Sequence, residues 1–181
     1  MANSHRSRVL IACLVALLVS ACSTTPSNVP SAEVEQRARL EPAGSLNAAV
    51  TQATISETIC IPGWTATVRP STSYTNGVKL RLLREQGLAP AAASTYELDH
   101  FIPLALGGHP RDIGNLWLQL WDGEWGAKTK DRLEVRLKNL VCAGRLTLES
   151  AQEAIRVNWR AAYRRYVGSP RSSADAEDGD D

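Results

Sequence analysis

Beyond its N-terminus this 181-residue chain has no long apolar run, which excludes a polytopic membrane protein. It also lacks a CxxC pair, and no cysteine has a histidine at ligand spacing, which argues against a structural zinc site. Aromatic residues are few, at 6%, yet five of them are Trp, and three of those fall between positions 117 and 125. An excess of one charge is missing too: 20 Lys+Arg against 19 Asp+Glu leave +1, which taken whole argues against a polyanion binder. What remains, 44% hydrophobic and 22% charged residues, is the composition of one globular domain rather than of a disordered or fibrous chain.

The N-terminus reads as an address. His5, Arg6 and Arg8 precede eleven almost purely apolar residues at 9–19, too short for a comfortable membrane span and right for a secretory signal. The run ends in Val19-Ser20-Ala21-Cys22, which resembles the bacterial lipobox. That likeness implies a signal peptide over 1–21 and lipidation of Cys22, anchoring the mature chain to the cell envelope. Cleavage after Ala21 by the general signal peptidase and retention as a single anchor are the alternatives. All three place the domain outside the cytoplasm, and Ser23 after the lipidated Cys favours the outer membrane if the envelope has two membranes. Residues 22–50 then form a flexible tether and leader, Pro- and Ser-rich at its start.

The other end, 168–181, carries five acidic residues and one Arg and is expected to be a disordered acidic tail. Setting the ends aside changes the charge arithmetic. Residues 31–170 hold 17 Lys+Arg and 14 Asp+Glu, and 125–170 alone hold 10 against 4, a local +6. The back half of the domain is therefore basic, which suits either a plainly solvated face or a polyanion.

With Cys13 in the signal and Cys22 lipidated, Cys60 and Cys142 are left in an oxidising compartment, and a disulfide between them is expected. The domain proper is assigned to 51–167. Within it, 78–87 reads as a helix stopped by Gly87. Residues 88–94 read as a loop, and 96–102 and 115–120 as strands separated by Pro103 and the Gly107-Gly108 pair. A helix over 127–141 buries Leu133, Val135, Leu137, Leu140 and Val141 and ends at Gly144. Thr147 caps a last helix over about 148–167, burying Ala151, Ala154, Ile155, Trp159 and Tyr163. Residues 58–69 are expected to add one or two short strands.

Strand, glycine loop, strand and helix, with LDHFIPLALGGHPRDIGNLWLQ across the first three, resembles the HNH, or ββα-metal, endonucleases over 96–137. CIPGWTATVRP, SYTNGVKL and KDRLE add a wider likeness to a secreted bacterial subgroup. The resemblance implies an α+β fold with a ββα-metal core and flanking helices. It also implies metal-dependent hydrolysis of phosphodiester bonds, with DNA the favoured nucleic acid. A hard cation, Mg²⁺ or Mn²⁺ before Zn²⁺, would answer both the repulsion of the nucleophile and the poor leaving oxygen. Carried over residue by residue, Asp99 supplies a metal ligand and His100 is the general base. Asn115, fifteen positions after His100, hydrogen-bonds to the intervening loop and so holds His100 in place rather than touching substrate.

The chain departs from the pattern where the family has its last His. Nine residues beyond Asn115 stands Glu124, able to ligand a hard cation, and four further on stands Lys128, able to neutralise phosphate or assist the leaving oxygen. Arg111, Lys130 and Arg132 are the expected phosphate contacts. Each residue also has an ordinary reading: Asp99 and His100 as a surface ion pair, Asn115 as a turn residue, Glu124 as a helix N-terminal charge, His109 as a loop residue, and Trp117, Trp121 and Trp125 as packing. The rival to an endonuclease is a catalytically inactive HNH-like lipoprotein that binds a polyanion or an envelope partner.

Overall fold

In the computed structural model, residues 42–170 are described. The expected signal peptide, Cys22, residues 22–41 of the expected tether and residues 171–181 of the expected tail lie outside them. The fold is α+β: a two-stranded antiparallel sheet with helices before and after it. Among the described residues, no helix is long and apolar enough to cross a membrane.

Among the described residues, four helices and two strands carry the fold: α1 (Trp64–Val68), α2 (Thr72–Glu85), β1 (Tyr96–His100), β2 (Leu116–Leu120), α3 (Ala127–Cys142) and α4 (Leu148–Tyr166). Helix α2 starts six residues earlier than its apolar pattern shows, because Ser71 Oγ accepts the Tyr74 amide and supplies the missing N-terminal partner. It ends as expected, with Gly87 at φ +71° and the Leu88 amide returning to the Leu83 carbonyl at 2.8 Å, a glycine C-cap. Residues 58–69 form no strand. Their amides bond locally, Cys60 to the Ile55 carbonyl and Trp64 to that of Ile61, and the segment winds into α1 instead. The loop before β1 likewise holds a 3-10 turn, Pro90–Ser94.

Strands β1 and β2 pair from Tyr96↔Leu120 to His100↔Leu116. Alternation along the strands gives the ribbon two faces. Leu98, Leu116 and Leu118 pack with Val78, Leu82 and Leu83 of α2, while Asp99 faces α3. A second and larger core joins Leu133, Leu137 and Val141 of α3 and Ile155, Trp159 and Tyr163 of α4 with Phe101, Ile102 and Leu106 of the loop after β1. Val135 is not in it: at 59% exposure it lies off the 133/137/140 stripe, since two residues along a helix rotate the side chain by about 200°. Helix α4 begins at its expected cap, Thr147 Oγ1 accepting the Ser150 amide at 3.1 Å. It is interrupted at Asn158, whose extended backbone and side-chain bond to the Ala161 amide restart the helix.

Two tethers close the domain. Cys60 and Cys142 form a disulfide with their Cα atoms 5.5 Å apart, tying the segment before α1 to the end of α3. The domain also reaches further back than position 51: Val50 is in the core, and Gly44 and Asn47 donate to the carbonyls of Gly114 and Gly107 at 2.8 Å each.

Candidate active site

The loop between the strands is built around Asn115, which is fully buried. Its Oδ1 accepts the Ile102 amide at 2.8 Å, and its Nδ2 donates to the carbonyls of Ile102 at 3.0 Å and His109 at 3.1 Å. A side chain with both a donor and an acceptor at that position thus closes the loop on itself, as one extra rung beyond the strand ladder. The second glycine of the pair is explained by the same contact. A Cβ on Gly108 would lie 1.7 Å from the Ile102 carbonyl oxygen and 2.7 Å from Asn115 Nδ2. Replacing Asn115 with Ala strands two buried backbone groups of Ile102 and the half-buried His109 carbonyl, and is expected to cost about 3 kcal/mol, read as a lower urea midpoint with an unchanged slope.

The clamped loop presents a carbonyl to His100. His100 Nε2 lies 3.0 Å from the Pro110 carbonyl oxygen, which can only accept, so Nε2 carries the proton and Nδ1 keeps its lone pair. Only 6% of His100 is exposed. Burial pushes its pKa below the usual 6.5, against the smaller upward pull of the Pro110 bond and Asp99, so the imidazole is neutral at pH 7. The neighbouring His109 serves the loop, its Nδ1 accepting the amides of Arg111 and Asp112. Tyr74 of α2 steadies the same stretch by donating to the Arg111 carbonyl at 2.8 Å, with the Arg111 guanidinium over its ring.

Asp99 points the other way. One carboxylate oxygen accepts the His100 amide at 2.7 Å and the second meets Lys130 Nζ at 2.7 Å. Lys130 also donates to the His100 carbonyl at 2.8 Å and to Glu134 at 2.5 Å, and its side chain is completely buried, against 14% and 17% exposure for Asp99 and Glu134. Burial alone would discharge this lysine; Asp99 and Glu134 outweigh it and hold the ammonium charged. Around the pair the acids are crowded. Burial first, then Asp99 and Asp131, push Glu97 up to about 7, and burial first, then Asp99, raises Asp131. Among the described residues, Glu97 Oε2 is buried without a hydrogen-bond partner.

The expected site residues therefore divide. Asp99, His100 and Asn115 come together with Lys130, but Lys130 is no phosphate contact: its three donors are consumed inside the protein. Glu124 is exposed in the turn before α3 and takes no part in the carboxylate cluster. Lys128 is exposed as well, paired with Asp122 at 2.9 Å. Arg132, with Nε 3.0 Å from the Tyr163 hydroxyl, lies on the α3–α4 edge, where Arg160 and Arg164 stand over the Trp125 ring at 5.9 and 4.7 Å. Trp125 packs edge-on against Trp159 and Tyr163, and Trp117 against Phe101.

Sequence reasoning missed Glu97, Glu134 and Arg69, the last an exposed cation whose charge reaches His100, Glu97 and Asp131. Glu97 had a readable signal, because it sits two residues from Asp99 on a strand and so on the same face.

The donor set does not fit the divalent cation that the resemblance implies. Asp99 has both oxygens engaged, Glu124 is elsewhere, and among the described residues no group of three or more His, Cys, Asp and Glu side chains is placed to hold a metal. No family model, curated protein or solved structure matches the chain.

Proposed function

We propose that the chain is an endonuclease of HNH type, hydrolysing phosphodiester bonds of nucleic acid, DNA in the first place, outside the cytoplasm. On this reading β1, β2 and α3 form its ββα core and Cys22 its lipid anchor in the envelope. The observation that carries the reading is the state of His100: a neutral imidazole whose Nε2–H is held on the Pro110 carbonyl, leaving Nδ1 to accept a proton. Water gives that proton to Nδ1, its oxygen attacks phosphorus, and the bond to the leaving sugar oxygen breaks. His100 then returns the proton to the leaving oxygen or to solvent. No step is assigned to a metal. Phosphate charge is met by exposed cations, Arg69 and Arg111 beside the loop and Arg132 and Arg164 of the α3–α4 edge.

The pH profile of strand cleavage tests the role of the base. A general base must be deprotonated, and the His100 pKa is lowered, so the acid limb of the rate should fall below pH 6.5, at a midpoint that shifts or vanishes in His100 variants. A limb at or above 6.5 contradicts the assignment. A second reading, a non-catalytic polyanion-binding lipoprotein, is favoured by the enclosure of Asp99 by Lys130. Retained DNA binding without cleavage at any pH would select it.

A further inference from the structure

We propose that the Lys130 ammonium is the resident cation of this site and takes the place of the divalent metal implied by the sequence resemblance. The inference rests on the reading of the site as HNH-like, and it concerns what holds the site's charge rather than which residue takes the proton.

The coordination is that of a cation centre. Three hard oxygens, one from Asp99, one from the His100 backbone and one from Glu134, converge on Nζ at 2.5 to 2.8 Å. An ammonium has three N–H donors, and all three are used. A completely buried lysine is otherwise costly, and here carboxylates from two different elements, β1 and α3, balance it. The position is fixed by the helix: Lys130 lies in the first turn of α3, three residues before Leu133 on the buried stripe, so its Nζ is delivered under β1 whenever α3 packs. Mg²⁺ and Mn²⁺ sites are built from about six oxygens, whereas one Asp99 oxygen is already committed to the His100 amide.

The consequence for the site is positional. By gripping the Asp99 carboxylate and the His100 carbonyl together, Lys130 sets the backbone on which the His100 ring is carried. It touches no substrate and acts as a positioning residue. Removing it leaves Asp99 and Glu134 facing each other with Glu97 and Asp131 beside them, a set of hard oxygens that has lost its cation and gained room.

The test is a Mn²⁺ titration of the full mature chain, followed by the electron spin resonance of free Mn²⁺, on wild type, Asp99→Asn, Lys130→Arg and Lys130→Ala. Wild type and Lys130→Arg are expected to leave free the whole Mn²⁺ signal up to about 1 mM. Lys130→Ala should bind one Mn²⁺ at least about tenfold more tightly than wild type, and lose it when Asp99→Asn is added. A single wild-type Mn²⁺ site in that range, abolished by Asp99→Asn, overturns the proposal, as does a folded Lys130→Ala that gains no affinity. If Lys130→Ala does not fold unaided, folding on addition of Mn²⁺ supports the proposal; if it stays unfolded, the wild-type and Asp99→Asn titrations decide alone. Failure of the endonuclease reading looks different: a folded wild type that cleaves nothing with or without metal, whatever its Mn²⁺ affinity.

Discussion

His100→Ala is expected to lower the rate of strand cleavage by about 10²- to 10⁴-fold, the usual contribution of a positioned general base, while leaving the fold in place. Among the described residues, the ring makes one hydrogen bond, to the Pro110 carbonyl. The loop itself is held by Asn115 and by the Phe101 amide on the Asn115 carbonyl at 2.8 Å, neither of which the substitution touches. Circular dichroism should therefore be unchanged, and DNA affinity should stay within about twofold of wild type because the basic α3–α4 edge and Arg69 remain. Cleavage within a factor of about ten of wild type would remove His100 from the mechanism. A fall in affinity matching the fall in rate would assign it to binding instead.

Reduction of the Cys60–Cys142 bond, or the pair of substitutions Cys60→Ser and Cys142→Ser, should destabilise the domain by about 4 kcal/mol, because the bridge spans 82 positions and long closed loops restrict the unfolded chain most. For a domain of this size that corresponds to a fall in Tm of roughly 15 °C. Calorimetry on oxidised and reduced protein reads it, and thiol labelling of the oxidised form should find neither cysteine reactive. A change under about 1 kcal/mol would mean that the unfolded chain is already restrained in this region. The effect need not reach the active site, since the bridge joins the segment before α1 to the far end of α3, three turns from Lys130.

What the sequence made legible follows from period and punctuation. The ribbon, the Gly87 cap, the Thr147 cap and the last two helices could be read because their side chains repeat at 2.0 or 3.6 residues and end at residues with one structural use. Residues 58–69 could not, because a segment whose amides bond three to five residues back has no periodic signature to tell it from a short strand. Asn115 was legible as a spacing, but its three bonds depend on how closely Gly108 approaches Ile102, which no spacing contains.

Lys130 is the instructive case. Its interval from Leu133, Leu137 and Leu140 places it on the buried stripe, yet a charged residue in a basic segment reads as surface until the acids that hold it are known. Those acids are distant in sequence in one case, Asp99, and one helical turn away in the other, Glu134. Glu124 erred in the opposite direction. Counting nine residues from Asn115 carried it to the position of a ligand, but the turn before α3 leads the chain out into solvent there and returns it to the site only at Lys130.

The most direct test of the account is conversion of supercoiled plasmid by the folded, oxidised mature chain at neutral pH, in EDTA and in added Mg²⁺ or Mn²⁺, beside His100→Ala. Wild type is expected to nick the plasmid in EDTA as well as in added metal, and His100→Ala is expected to lose that activity. No nicking by well-folded protein in any of these conditions, or equal nicking by His100→Ala, would contradict it.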